Sequence, residues 1–330
     1  MGGGRPGIST GVGRYTYWTG LTSSRGHSGS SSQTSAAARR RQSKAAERLQ
    51  EIEAVHNLEA SLLSRHKEHF SPAQPVIAPE PGKVDLRAVQ RRTRAQELRG
   101  VSVFRVSERR AAKKRAQAIA EREIEEQEAE RVASRKSLQD DLNENWEKLN
   151  SNDPEIVIDA LETAFEDNHD PAAPINCEGN RASIVILFPP QDFVPDKKPA
   201  LTPTGRPTLK RRTKTEASDL YARAVASTVL ATVKEAFAVA PALEQISTVV
   251  VRKDARAENP EDFMAAIYAG SFTRERVRGL DWERVDPLEE IYVAPDALLT
   301  RKGSTSTLAP IDLQSEPELR SVVDQLRRSL

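Results

Sequence analysis

Cysteine is nearly missing from this chain: Cys177 is the only one in 330 residues, which excludes an intramolecular disulfide and fits a reducing compartment. Aromatic residues amount to 5%. No apolar run approaches the roughly eighteen residues that a membrane span needs. The first residues carry glycine, serine and arginine without an apolar signal core, which argues against secretion. A cytoplasmic location and no membrane partner are therefore expected. Net charge is also close to absent at +1, yet this balance hides segregation. Residues 83–115 are strongly basic and residues 121–130 are almost wholly acidic, so local runs rather than the total bear on partners.

Hydrophobic residues reach only 38% while charged residues reach 29%, a low apolar share for a globular chain. The apolar residues gather in the second half, where one sizeable core is expected. Residues 1–36 are Gly/Ser-rich and predict a disordered head, apart from Tyr15, Tyr17 and Trp18, which alternate among glycines as strand residues do. Leu49, Ile52, Val55, Leu58 or Glu59, and Leu62 recur every three or four positions and predict an amphipathic helix over 37–70. Prolines at 72, 75, 79 and 81 predict a stiff, extended linker over 71–83. Residues 84–150 read as a long charged helical arm, with a break at Gly100 and the β-branched run after it. Leu138, Leu142, Trp146 and Leu149 make its last third amphipathic, and so thin a stripe predicts burial there against the helix at 37–70 or against a second copy. No heptad persists, so a regular coiled coil is not expected.

From 151 to 330 the pattern is that of an α+β domain. Asn152 or Asp153 can cap a helix that Pro154 opens and that buries Ile156, Val157, Leu161 and Phe165. The run Arg181–Phe188 reads as a buried strand, and an extended Pro-rich connection follows it. A strong helix is expected from Glu216 to about Val239. Two strands come next, over 246–253 and 262–272, joined by a polar loop. Strand, helix, strand, strand predicts a parallel pair made through a crossover helix, then an antiparallel hairpin. Short helices or turns are expected over 273–287 and 294–303. A last extended piece over 306–313 and a terminal helix from Glu316 close the chain. The expected fold class is α+β: long charged helices followed by a compact C-terminal domain with a small mixed sheet and flanking helices.

The segment Pro6–Gly20, with its Pro-Gly start, its glycines and its Tyr-x-Tyr-x-x-Gly end, resembles the closing stretch of a small Gly-rich β module, the bacterial domain-of-unknown-function family numbered 4236. The Gly-rich strands that precede this motif in the family are absent, so the resemblance implies either an internal gene start or a truncated module. The segments at 198–216, 268–276, 281–287 and 294–303 are loosely similar to the region that follows such modules in actinobacterial and related proteins. The family carries no established activity to transfer.

Three histidines, His56, His66 and His69, share the helix expected at 37–70, and the last two lie one turn apart. Two imidazoles at that spacing can share a metal, but no third ligand, cysteine or HExxH pattern accompanies them, so a solvated polar face is the expectation and no metal is assigned. Cys177 has His169 eight positions away in a Pro-rich turn, which reads as an ordinary turn thiol rather than an activated nucleophile. Carboxylates such as Glu125 and Glu126 sit on charged helices. Asp254 lacks the acidic-x-Lys partner that a nuclease-like strand would supply. There is no phosphate-cradling Gly loop, GxSxG or Ser-x-x-Lys box. No catalytic residue, no cofactor and no enzyme activity are therefore expected.

The one cluster that stands out is Lys210, Arg211, Arg212 and Lys214, at the mouth of the helix expected from Glu216, with Lys197, Lys198 and Arg206 upstream. Such a flexible basic strip can hold phosphates or be simply a solvated linker. The tract at 105–115 has the same two readings, and a third in which it pairs with the acidic tract at 121–130 within or between chains. The reading preferred from the sequence is a non-enzymatic interaction or scaffold protein that meets a protein partner or a second copy through its helical arm. The alternative is a nucleic-acid-binding module using 105–115 and 197–214, although interleaved aromatics and finger or helix-turn-helix signatures are missing.

Overall fold

The computed structural model of the protein describes residues 36–253 and 264–329. The motif at 6–20, all but the last residue of the expected head, Asp254 and the expected loop at 254–261 lie outside them. In chain order the elements are α1 (Ala36–Ser64), a 3₁₀ turn (Arg65–Lys67), α2 (Leu86–Glu97), α3 (Val106–Asn150), α4 (Pro154–Phe165), β1 (Ala172–Glu178), β2 (Arg181–Phe188), β3 (Lys197–Leu201), β4 (Pro207–Arg211), α5 (Lys214–Val239), β5 (Gln245–Lys253), β6 (Met264–Thr273), α6 (Arg274–Arg278), α7 (Pro287–Tyr292), β7 (Thr300–Lys302), β8 (Thr307–Ala309) and α8 (Pro317–Ser329), with one further 3₁₀ turn at Gln191–Phe193. The chain divides into Met1–Glu47 and Arg48–Leu330. Of the first unit only the start of α1 is described; the second holds the core.

That unit is mixed α+β. Its main sheet has the order β1-β2-β5-β6. β2 and β5 run parallel, Ile184 opposite Thr248, with α5 as their connection, and β5 and β6 are antiparallel. The alternation of β2 explains its unbroken apolar run. Ala182, Ile184, Ile186 and Phe188 face the cluster built with α4 and α5. Val185 and Leu187 face a second cluster with Leu319 and Val323 of α8. A strand covered on both faces has no polar side to show. β1 was not foreseen, because Pro174 interrupts it. It is an edge strand with a register shift between Pro174 and Asn176, the place where a sheet tolerates proline.

The expected domain start at 151 leaves out contributors to this core, since Leu62 of α1 and Trp146 and Leu149 of α3 belong to it. The third of α3 that carries Trp146 packs next to α4, not against the helix at 37–70. The stretch 71–83 is also no free linker. Ala73 donates its N–H to Ala238 at the end of α5, 2.8 Å away. The Gln139 side chain then accepts from Ala78 N–H at 2.8 Å and donates to the Val76 carbonyl at 3.2 Å. Arg131 donates to the Gly82 carbonyl. Proline-fixed extended backbone exposes its carbonyls, and the polar side of α3 satisfies them.

Candidate functional site

The four cations singled out in the sequence fall on a structure that uses part of them internally. The expected flexible strip is a two-stranded ribbon: β3 and β4 pair antiparallel, Lys197 opposite Arg211 and Lys198 opposite Lys210. Arg212 is lost to any phosphate. Its side chain is 7% exposed and forms an ion pair with Glu59 of α1, while its Nε donates to the Pro195 carbonyl. Lys197 pairs with Glu51 at 3.1 Å and Lys198 with Glu216. The Lys198 contact, with the Thr213 backbone N–H, holds the Glu216 carboxyl down to about 2. Thr213 and Glu216 close a capping box on α5, so two of the N–H groups expected to meet a phosphate at this helix start are already satisfied. Lys210, Arg211 and Lys214 remain exposed. The partners Glu51 and Glu59 lie some 150 positions upstream, beyond the reach of a local reading.

The histidines are also placed differently. α1 ends at Ser64, so His66 and His69 do not share a helix. His66 is buried at 2% exposure rather than solvated, while His56 and His69 are exposed. Ser227 Oγ of α5 lies 3.1 Å from the His66 backbone N–H, which donates to it, and 2.9 Å from His66 Nδ1. One hydroxyl can accept the first and donate the second, which leaves the ring proton on Nε2. Burial first, then Lys67 and Lys234, push the His66 pKa down. Beside it Arg65 reaches Asp170 in a buried ion pair, and Thr228 accepts from Arg65 at 2.7 Å and donates to Asp170 at 3.2 Å. Burial pushes the Asp170 carboxyl up against the opposing pull of Arg65. Two helical turns on from Thr228, Glu235 accepts from Asn168 Nδ2 at 2.8 Å, and burial raises it to about 7. The cavity next to these groups measures about 20 Å³, room for about one water. This cluster clamps the 3₁₀ turn onto α5; Lys234 completes it by donating to the carbonyls of His66 and Glu68. Cys177, expected in a turn, lies buried on β1 with its thiol pKa pushed up by that burial.

The helical hairpin made by α2 and α3 presents a different surface. Asp85 caps α2 through the Ala88 N–H, and Gly100, at φ +87°, supplies the left-handed residue that ends it. The two helices meet antiparallel: Arg92 pairs with Glu123, and Arg115 with Glu97 at 3.2 Å. Ala112, Ala116 and Ala120, one turn apart, form the buried seam, and Val84 and Val89 complete a small cluster with Ala120 and Ile124. The expected pairing of the tract at 105–115 with the acidic tract at 121–130 is not found within the chain, because both lie along α3; Arg92 of α2 meets the acidic tract instead, and Arg115 meets Glu97. From Leu86 to Arg115 the sequence holds eleven Lys or Arg and two carboxylates. Among the described residues Arg109, Arg110, Lys113 and Lys114 enter no ion pair, and the last three are exposed. At the closed end Val103 is 64%, Phe104 91% and Val106 59% exposed. Sequence reading took this apolar patch only as a helix break; the signal that marks it as surface is the density of cations on both sides.

No family model, no curated protein and no solved structure matches the chain.

Proposed function

We propose that the protein is a non-enzymatic interaction protein in which the α2–α3 hairpin is the association arm and the α+β unit its frame. The observation that carries this reading is the state of α3. Only Trp146 and Leu149 near its end enter the core cluster, while the rest of a 45-residue helix serves no packing need of the sheet. A helix kept so long and so charged outside a core is accounted for by a contact made elsewhere. The shifted groups His66, Asp170 and Glu235 sit in closed packing rather than a cleft, which favours a structural role for them over acid–base chemistry. The resemblance to a Gly-rich module at the front and a cytoplasmic location fit such a protein and remain part of the proposal.

The rival is nucleic-acid binding through 105–115 and 197–214, favoured by the exposed Lys210, Arg211 and Lys214. Retention of the full chain on heparin at low salt tests the rival, and charge reversal tells which of its two segments makes the contact. Reversal of the arm charges (Lys113→Glu with Lys114→Glu) is expected to abolish retention, and reversal on the ribbon (Lys210→Glu with Arg211→Glu) to leave most of it. The opposite ranking would place the contact on the ribbon; no retention of the parent chain would remove nucleic-acid binding and leave the protein-partner reading standing.

A further inference from the structure

We propose that the closed end of the α2–α3 hairpin docks on an anionic lipid surface, with Phe104, Val103 and Val106 entering the interfacial layer and the cations behind them facing the headgroups. The inference rests on the reading of the hairpin as the association arm and names its partner. Three large apolar side chains within four positions, each more than half exposed, leave apolar area in water without a folding reason. They stand between Arg99 on one side and Arg109 and Arg110 on the other, with Arg105 paired to Glu108, so the surface that receives them must offer an apolar layer directly beneath negative charge.

A lipid interface has this construction, and cations near it gain from the potential of anionic headgroups. Nucleic acid offers the phosphates but no apolar layer. A phenyl ring can stack on a base, whereas the flanking valines have no such role. The acidic tract of α3 does not oppose the contact. Glu121 lies fifteen residues from Val106, about 22 Å along the helix at 1.5 Å per residue, more than twice the roughly 8 Å screening length at physiological salt. No described helix is long and apolar enough to cross a membrane. The expectation of no membrane partner followed from the missing span, and a surface contact requires none.

The test is co-sedimentation of the full chain with vesicles of phosphatidylglycerol mixed equally with phosphatidylcholine, and with phosphatidylcholine alone. Binding to the first and not the second is expected. Arg109→Gln with Arg110→Gln should weaken it roughly thirty-fold and Phe104→Ser roughly tenfold. Leu201→Ser, at another well-exposed apolar residue, on β3 (71% exposed), should change nothing. If the anionic vesicles fail to bring down a chain that heparin still retains through the arm, the lipid partner is overturned and the arm reading stands. If Phe104→Ser binds as the parent does and duplex DNA strips the protein from the vesicles, nucleic-acid phosphates are the occupant instead.

Discussion

The two longest helices of the Arg48–Leu330 unit sit at opposite ends of the burial scale. α5 buries 17 of its 26 residues; α3 buries four of its 45, three of them alanines. α5 is surrounded. The sheet covers one side, α4 and α7 flank it, and the clamp of Arg65, His66 and Lys234 closes the side where Ser227 and Thr228 stand. Most of its polar groups have partners within the fold: Ser218 with Gln191, Arg223 with Asp219 and Asp286, Ser227 with His66, Thr228 with Arg65 and Asp170, and Glu235 with Asn168. α3 meets α2 through a seam of small residues that lets the backbones approach but buries little area, and otherwise through ion pairs worth less than about 1 kcal/mol each at the surface. One helix derives its order from tertiary packing and the other largely from propensity and charge. The difference is one of available surface: apart from Lys214 and its neighbours at the start, α5 is largely enclosed, whereas α3 is exposed along most of its length.

Removing the clamp should break the first half of this comparison and gives the largest effect. Asp170→Ala leaves the Arg65 guanidinium buried without its carboxylate, and loss of one partner of a buried pair costs about 3–5 kcal/mol. Chemical denaturation of the full chain should show that loss. A change under about 1 kcal/mol would mean that α1 is loosely held and that the contrast between α5 and α3 is overstated.

Glu235 tests the same packing through pH. Its carboxyl is raised to about 7 in the folded chain from an ordinary value of 4.5. Between those values the folded state holds a proton that the unfolded state has released, so stability is fully present below about 4.5 and declines as pH rises through 7. Glu235→Gln keeps an acceptor for Asn168 and removes the ionisation. It should raise stability by roughly 1–3 kcal/mol at pH 8 and by almost nothing at pH 4.5. His66 acts with the opposite sign. Its pKa is lowered, so its contribution is present above the unfolded value of 6.5 and is lost as pH falls toward the folded one. Equal denaturation midpoints of Glu235→Gln and the parent across that range would show an accessible, unstrained carboxyl.

Elements held by their own pattern were legible in the sequence. β2 announced itself by a nearly continuous apolar run, α4 by Asp153 and Pro154, α5 by length and apolar content, and the parallel pairing of β2 and β5 by the helix between them. What escaped shares one physical cause, dependence on partners far along the chain. β1 is half polar and contains Pro174, so only its pairing with β2 makes it a strand. The β3–β4 ribbon looked like a solvated linker because Glu51 and Glu59, which meet Lys197 and Arg212, come from α1. His66 reads as polar and solvated until Ser227, 161 positions later, receives it. Ser227 and Thr228 were readable in principle, since a helix apolar on every side is enclosed and its hydroxyls then need partners. Phe104 was missed for the reverse reason: hydropathy assigns it to an interior, and only the structure places it in water.

The smallest expected effect sharpens the comparison most, because it should touch one helix pair and spare the other. Gly100 adopts φ +87°, with no atom within 4 Å of where a Cβ would stand, so Gly100→Ala meets no clash and its cost is the left-handed backbone alone, about 1 kcal/mol. In a uniformly cooperative molecule that cost would appear as a small loss of global stability shared by every slowly exchanging amide. In a molecule whose arm opens by itself, the cost is local. Amides of α2 and of α3 up to about Ala120 should exchange roughly fivefold faster, while those of α5 and β5 keep the parent rate. Hydrogen exchange read by peptide mass resolves the two. Matching acceleration in α5 would show that hairpin and core unfold together, and the separation between frame and arm would then have no energetic basis.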